Sequence, residues 1–298
     1  MKSTADISAG RRMRAALDAH YRPNLKLAQA HGFGGYNCGY ARQRGETSFA
    51  QHQRDLVWRV LADARIGPTT TVLDIGCGIG GPANWIVERF TPRRLIGLEY
   101  CWSSVRLAAQ GAARHGISEA CAFERILAGS NRDSARQPLC FVQGDAHHLP
   151  IADGSIDVIL SLESALHYAD KRRFLAECRR VLGSGGVICL GDITVPKTKS
   201  IGATLLRGLS APFKSNAILW SAESYRGAFA AGGLAVLRHE QASPHVADSL
   251  ADALDEVRRR GWKAARGFRM RFYYLSCLER LLRRGWLHYD LFALTRAE

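Results

Sequence analysis

The chain has 298 residues, 47% of them hydrophobic, which is enough for one large domain with a sizeable core and some elaboration. Its 41 lysines and arginines against 27 acids give a net charge of +14, compatible with an anionic substrate, an acidic carrier, a membrane surface, nucleic acid or simply a solvated basic surface. The eight cysteines include no Cys-x-x-Cys and no Cys/His cluster at metal spacing, no apolar run reaches the roughly 20 residues of a bilayer span, and the polar start at Met1 to Arg14 lacks a leader's apolar segment, so buried thiols, no metal and a cytoplasmic location are expected.

Residues 1–66 read as an N-terminal arm and helical cap. Met13, Ala16 and Leu17 recur among charges at helical spacing. Tyr36-Asn37-Cys38-Gly39-Tyr40 is too glycine-rich for a helix and too aromatic for a plain linker, so it reads as a packed turn. Phe49 to Ala64 follows as a helix with Leu56, Val57, Val60 and Leu61 on one face.

Thr70 to Ile75 is a short β-branched and aliphatic strand, after which Gly76, Gly78 and Gly80 alternate through a turn. Pro82 sits where a first helical turn tolerates a missing N–H. Glycines at this spacing let backbone approach a ligand closely, but alone they fit a dinucleotide loop, a plain βα turn or another adenosine site. The absence of a following Gly-Lys-Ser/Thr excludes a P-loop. Asp74 puts a carboxylate beside the loop, which is awkward for a pyrophosphate and natural for a cationic group.

From here strands and helices alternate, the pattern of a doubly wound, Rossmann-like parallel sheet with its cleft at the C-terminal strand ends. Helices are expected at Asn84 to Phe90 and Ser104 to His115. Between them the buried-looking strand Leu95-Ile96-Gly97-Leu98-Glu99-Tyr100 ends in an acid about 20 residues past the glycines, the distance at which a carboxylate grips ribose hydroxyls. Residues 118–138 turn polar and irregular and read as an insertion, followed by Phe141-Val142-Gln143-Gly144-Asp145-Ala146. A strand at Ile156 to Leu160 leads into Ser161-Leu162-Glu163-Ser164-Ala165-Leu166-His167-Tyr168. Asp170 caps a helix buried through Phe174, Leu175, Cys178, Val181 and Leu182. The strand Gly186 to Leu190 ends in Gly191-Asp192-Ile193-Thr194.

Pro196 to Asn216 reads as a basic connection, Ser221 to Ala231 as a capped helix, Leu234 to Arg238 as a strand and Val246 to Arg284 as a long helical region broken near Gly261 and Gly267. Arginines from 258 to 284 interleave with Trp262, Phe268, Phe272, Tyr273 and Tyr274. That stretch fits a solvated helical face, a cationic aromatic substrate lid, or a docking surface for an acidic carrier or peripheral membrane contact. Trp286 to Thr295 supplies the final strand.

Three elements in register, Val72 to Gly80, Leu95 to Tyr100 and Phe141 to Ala146, resemble the class I S-adenosylmethionine-dependent methyltransferases. The resemblance implies a seven-stranded sheet whose last strand is antiparallel, with lid elements near 196–216 and 246–284 over the acceptor pocket. It further implies S-adenosylmethionine as cofactor. Asp74, Gly76, Cys77 and Gly78 would hold its methionine end, Glu99 its ribose and Asp145 its adenine, with Tyr100, Ala146 and Leu162 completing the cofactor-binding set. In the subgroup containing cyclopropane fatty acid synthases and sterol or sugar methyltransferases, a segment similar to Tyr36 to Tyr40 lies over the methionine end, which makes Tyr36 and Tyr40 candidate contacts.

Reaction type is expected after the fourth strand. Base- and glutamine-modifying enzymes of this fold carry Asn or Asp-Pro-Pro-aromatic there; this chain does not, so nucleic acid is not the expected partner. The segment instead resembles the Glu-Ser-x-x-His pattern of small-molecule enzymes, among them sugar and macrolide O-methyltransferases and tocopherol-type C-methyltransferases. His167 can take a hydroxyl proton near neutral pH. In the sugar enzymes an Asp at the position of Asp192 works with it. Cyclopropane synthases carry a Glu where this chain has Leu166, although Glu163 offers a carboxylate from another angle.

The expectation is O-methylation of a small molecule or natural product, anionic or carrier-bound, with His167 as base and Asp192 as its partner. C-methylation of an isoprenoid, lipid or aromatic carbon stays open, as does a cofactor-binding cyclase or regulatory protein.

Overall fold

The computed structural model describes residues 37–113, 139–197, 201–210, 217–260 and 266–298. The N-terminal arm, Tyr36, the 118–138 insertion, part of the 196–216 connection and the break after residue 260 therefore lie outside the described residues.

Helix α1 (Phe49–Val60) is capped by Ser48, whose side chain accepts from Gln51 N, and it buries Leu56, Val57 and Val60 on the expected face. Strand β1 (Thr71–Ile75) is buried at every position, as expected for a central parallel strand covered on both faces. It feeds α2 (Gly81–Phe90), with Pro82 in its first turn, then β2 (Arg94–Glu99) and α3 (Trp102–Ala113). Next come β3 (Leu139–Gln143), β4 (Ile156–Leu162), a single 3-10 turn at Ala165–His167, α4 (Lys171–Val181) and β5 (Leu182–Thr194). The remainder is α5 (Ile201–Ser210), α6 (Ala222–Ala231), β6 (Leu234–Gln241), α7 (Ser243–Arg260), α8 (Arg266–Arg283) and β7 (His288–Arg296).

The seven strands form one sheet in the order β3-β2-β1-β4-β5-β7-β6. β1 to β5 pair in parallel, and β7 inserts antiparallel between β5 and β6. Strand order reverses beside β1, which opens the crevice at the C-terminal ends of β1 and β4. One face packs against α1, α2, α3, α5, α7 and α8 through residues such as Leu56, Val60, Ile86 and Leu250. The other packs against α4 and α6 through Phe174, Cys178, Tyr225 and Phe229. The fold is thus doubly wound.

Two boundaries matter for the site. β4 runs to Leu162, and β5 continues to Thr194, because β4 and then β7 supply ladder partners: Leu162 pairs with Gly191, and Thr194 with His288. Asp192 is therefore inside a strand rather than in the loop beyond it. The connection after Pro196 also contains α5, which buries Ala203 and Leu206. Among the described residues no helix is long and apolar enough to cross a membrane, no metal-binding group of His, Cys, Asp or Glu occurs, and all seven cysteines are free.

The Phe141 ring is wedged against two glycines. A Cβ on Gly97 would lie 2.4 Å from Phe141 Cδ1, and one on Gly80 2.7 Å from Cζ. Gly97→Val is expected to destabilise the protein by about 1–3 kcal/mol through overpacking, read as a lowered urea midpoint; an unchanged midpoint would mean that the ring moves aside freely.

Candidate active site

The ends of five parallel strands and the loops after them build the site. In the loop after β1, Gly76 and Gly80 adopt φ of 75° and 81°, conformations that L side chains rarely take. Contact across the sheet also requires Gly76 to lack a side chain: a Cβ there would sit 2.4 Å from Ser164 Cβ, in the segment after β4. Ser164 Oγ donates to Ile75 O at 3.0 Å and shares a hydrogen with Ser161 Oγ at 2.8 Å. The loops after β1 and β4 are thereby locked together.

Asp74, in register between Gly97 and Leu160, is 2% exposed, and its Oδ2 has no hydrogen-bond partner in the protein. Desolvation and the nearby Glu99 raise its pKa to about 7. A buried carboxylate oxygen without a donor is costly, and a cationic ligand would relieve that cost. Glu99 at the end of β2 accepts from Gly78 N at 3.1 Å and Cys101 N at 2.9 Å, so its carboxylate is fixed against the glycine loop. Burial pushes the Cys77 thiol well up, so it stays protonated within the loop.

Tyr100 follows Glu99, and its carbonyl accepts from Gln143 Nε2 at 2.9 Å, tying the ends of β2 and β3. Asp145, just past β3, accepts from His147 N at 2.9 Å and pairs with His147 Nδ1 at 2.7 Å. These bonds outweigh desolvation and hold its pKa near 2, so it is ionised at neutral pH. Ala146 is buried beside it, and Leu162 is 8% exposed at the end of β4.

His167 is exposed on the 3-10 turn. The backbone of that turn is held from several sides. Ala165 O accepts from Lys171 Nζ, Leu166 O accepts from Ile218 N at 2.7 Å, and the Leu166 N–H lies near enough to Asp192 to oppose the rise in its pKa. Asp192 is 1% exposed, accepts from Tyr225 Oη at 2.6 Å and lies 3.7 Å from Lys171 Nζ. Burial raises the Asp192 pKa and lowers that of Lys171, each opposed by the other's charge. The extension of β5 sets the Asp192 carboxylate beside the turn that carries His167, with Tyr225 Oη and Lys171 Nζ against its Oδ2. Lys171 was invisible in the sequence: a lysine in a first helical turn normally reads as solvated, yet this one is 1% exposed.

A second carboxylate stands at the same edge. Glu163 has a left-handed φ of 51°, uncommon outside glycine. Its Oε1 accepts from Cys38 N at 2.7 Å and Tyr289 Oη at 2.8 Å, and its Oε2 lies 3.3 Å from Cys38 Sγ. Desolvation outweighs these donors and raises its pKa to about 7. Cys38 and Tyr289 come from chain segments 251 residues apart, so no local sequence pattern could join them. Tyr40, in the same N-terminal segment, stacks on His245 at 4.3 Å and feels Glu240 and Arg59, so its ring packs against α7.

The adenosine-type cofactor expected from the sequence fits these residues: Gly76 and Gly80 leave no room for side chains in the loop, Asp74 Oδ2 is a buried carboxylate oxygen with no donor, and the Glu99 and Asp145 carboxylates are held at the neighbouring strand ends.

Comparison with known proteins agrees. Residues 73–190 match the family described as a methyltransferase domain. The erythromycin 3''-O-methyltransferase of Saccharopolyspora erythraea is 30% identical over 157 residues, 53% of this chain and 45% of that protein. The sterol 24-C-methyltransferase ERG6B of Gibberella zeae is 32% identical over 142 residues, 48% of this chain and 31% of that protein. A solved geranyl diphosphate methyltransferase, in complex with GPP and sinefungin, has the same fold, with a TM-score of 0.74, 17% identity and coverage of 95% of this chain and 99% of that one. Residues 73–190 therefore form a methyltransferase domain of the class I, S-adenosylmethionine-dependent type. The chain spans less than half the length of the two curated relatives named.

Removing one member of the buried pair leaves the other uncompensated. Lys171→Met is expected to cost about 3–5 kcal/mol of unfolding free energy, while Lys171→Met combined with Asp192→Asn recovers part of it. Denaturant titration of the three proteins gives the test, and equal stability of the single variant and the wild type would contradict the pairing.

Proposed function

We propose that the chain methylates a hydroxyl of a small molecule or natural product. Bound S-adenosylmethionine would supply an electrophilic methyl on a sulfonium. Asp74 and the glycine loop receive the cationic methionine end, Glu99 the ribose hydroxyls and Asp145, ionised through His147, the adenine amino group. Packing of Leu162 and Ala146 closes this part of the cleft.

The observation that supports hydroxyl methylation most is the turn bearing His167. Its imidazole is exposed while Lys171 and Ile218 fix the backbone beneath it, so a proton acceptor is held still at the strand edge occupied by Asp74. His167 takes the acceptor's proton as the oxygen attacks; the Asp192 and Lys171 pair acts on catalysis by positioning the turn. The kinship with a macrolide sugar O-methyltransferase points the same way. The acceptor is a small molecule, with the net charge of +14 favouring an anionic or carrier-bound one.

A second reading is supported by Glu163. A carboxylate with a pKa near 7, held by Cys38 and Tyr289 at the end of β4, suits removal of a proton from an alkylated carbon, and a sterol C-methyltransferase is among the relatives. The two readings separate by experiment. With acceptor and 13C-methyl cofactor, the hydroxyl reading expects an O-methyl carbon signal in the product. It also expects His167→Ala to lower kcat by about 10²-fold or more with little change in cofactor affinity. A C-methyl product with activity lost in Glu163→Gln and retained in His167→Ala would replace it with the second reading.

A further inference from the structure

Beside Asp74 stands a second polar atom that the proposed mechanism leaves unused. Tyr168 immediately follows His167, and its ring turns inward, packing on Phe174 at 4.8 Å and against His147 edge-on at 5.7 Å. The phenol oxygen is buried and has no hydrogen-bond partner in the protein. Ser164 Oγ lies near enough to ease the phenol's ionisation, but the contact falls short of hydrogen-bond geometry, and that hydroxyl gives its own hydrogen to Ile75 O. The Tyr168 oxygen sits over the glycine loop: a Cβ on Gly76 would come within 3.0 Å of it. Burial raises the phenol's pKa well above its ordinary value, with Ser164 opposing the shift and Glu99 and Asp74 adding to it, so it stays a neutral donor.

Two buried oxygens without partners thus flank one glycine, Asp74 Oδ2 from β1 and Tyr168 Oη from the segment after β4. Native interiors rarely leave such atoms unpaired, and two facing the same loop call for a ligand with two complementary groups. A carboxylate accepts from an ammonium group, and a phenol donates to a carboxylate. The pair matches an α-amino acid zwitterion and does not match a phosphate, which Asp74 would repel.

We propose that Tyr168 is a cofactor-binding residue, donating its phenolic hydrogen bond to the carboxylate of the cofactor's amino-acid end while Asp74 takes the ammonium. This assignment rests on the proposed use of S-adenosylmethionine and adds a contact to it. The ring contacts with Phe174 and His147 fix the phenol's direction, so the same side chain joins the adenine side of the site, through His147 and Asp145, to the methionine side.

The test is calorimetric binding of two ligands to wild type and Tyr168→Phe. Adenosylhomocysteine carries the amino-acid end; methylthioadenosine has the same nucleoside and lacks it. Tyr168→Phe is expected to weaken adenosylhomocysteine by about tenfold, the loss of one buried hydrogen bond, with methylthioadenosine affinity unchanged. In wild type labelled with 13Cζ-tyrosine, the Tyr168 resonance should move on adding adenosylhomocysteine and not on adding methylthioadenosine, a reading that needs no variant. Equal losses for both ligands, no loss for either, or a resonance indifferent to both ligands would overturn the role of Tyr168 while leaving cofactor use intact. Failure of wild type to bind either ligand would overturn both.

Discussion

The ion pair between Lys171 and Asp192 is the constraint around which the reaction edge of this molecule is arranged. Two opposite charges, each about 1% exposed, are stable together where their attraction and well-placed hydrogen bonds offset the cost of desolvation. Here Asp192 Oδ2 accepts from Tyr225 Oη and Lys171 Nζ donates to Ala165 O, while Asp192 Oδ1 stays buried without a hydrogen-bond partner. One buried pair therefore joins β5, α4, α6 and the turn that carries His167. Because Lys171 donates to Ala165 O while it pairs with Asp192, the turn is anchored from α4 and β5 rather than by its own side chains, and the exposed imidazole stands on that anchored turn.

The same logic of satisfied and unsatisfied polar groups divides the site. On the side of β2 and β3, Glu99 and Asp145 have their orientation set by backbone and imidazole donors, which leaves them as preformed acceptors. On the side of β1 and β4, Asp74 and Tyr168 each keep a buried oxygen without a partner. The first pair reads as geometry prepared in advance, the second as stability withheld until a ligand supplies the missing bonds. Glu163 lies between these cases. It has three donors and still a raised pKa, so it can exchange a proton near neutrality without losing its place.

Much of this was legible from the chain alone. Strand β1, the glycine loop, the acid at Glu99 and the doubly wound sheet class follow from hydrophobic period, glycine spacing and the distance to the next acid, while the antiparallel last strand follows from the resemblance to the methyltransferases. These signals are local, and local signals survive in sequence because backbone sterics and burial act residue by residue. The strand ends were read less well. β4 and β5 run beyond their apolar cores because neighbouring strands continue to offer hydrogen bonds, and hydrophobicity does not record that.

Sequence by itself determined which strands exist, where the ligand-binding loop lies and which acids stand beside it. Only the tertiary structure decided what those groups do to one another. It placed Asp192 beside the His167 turn, buried Lys171, carried Tyr40 toward α7, set Cys38 and Tyr289 on Glu163 and left Tyr168 facing Gly76. The reason is that protonation and hydrogen-bond partners depend on burial and on contacts between residues far apart in the chain, and neither is written in the order of the residues.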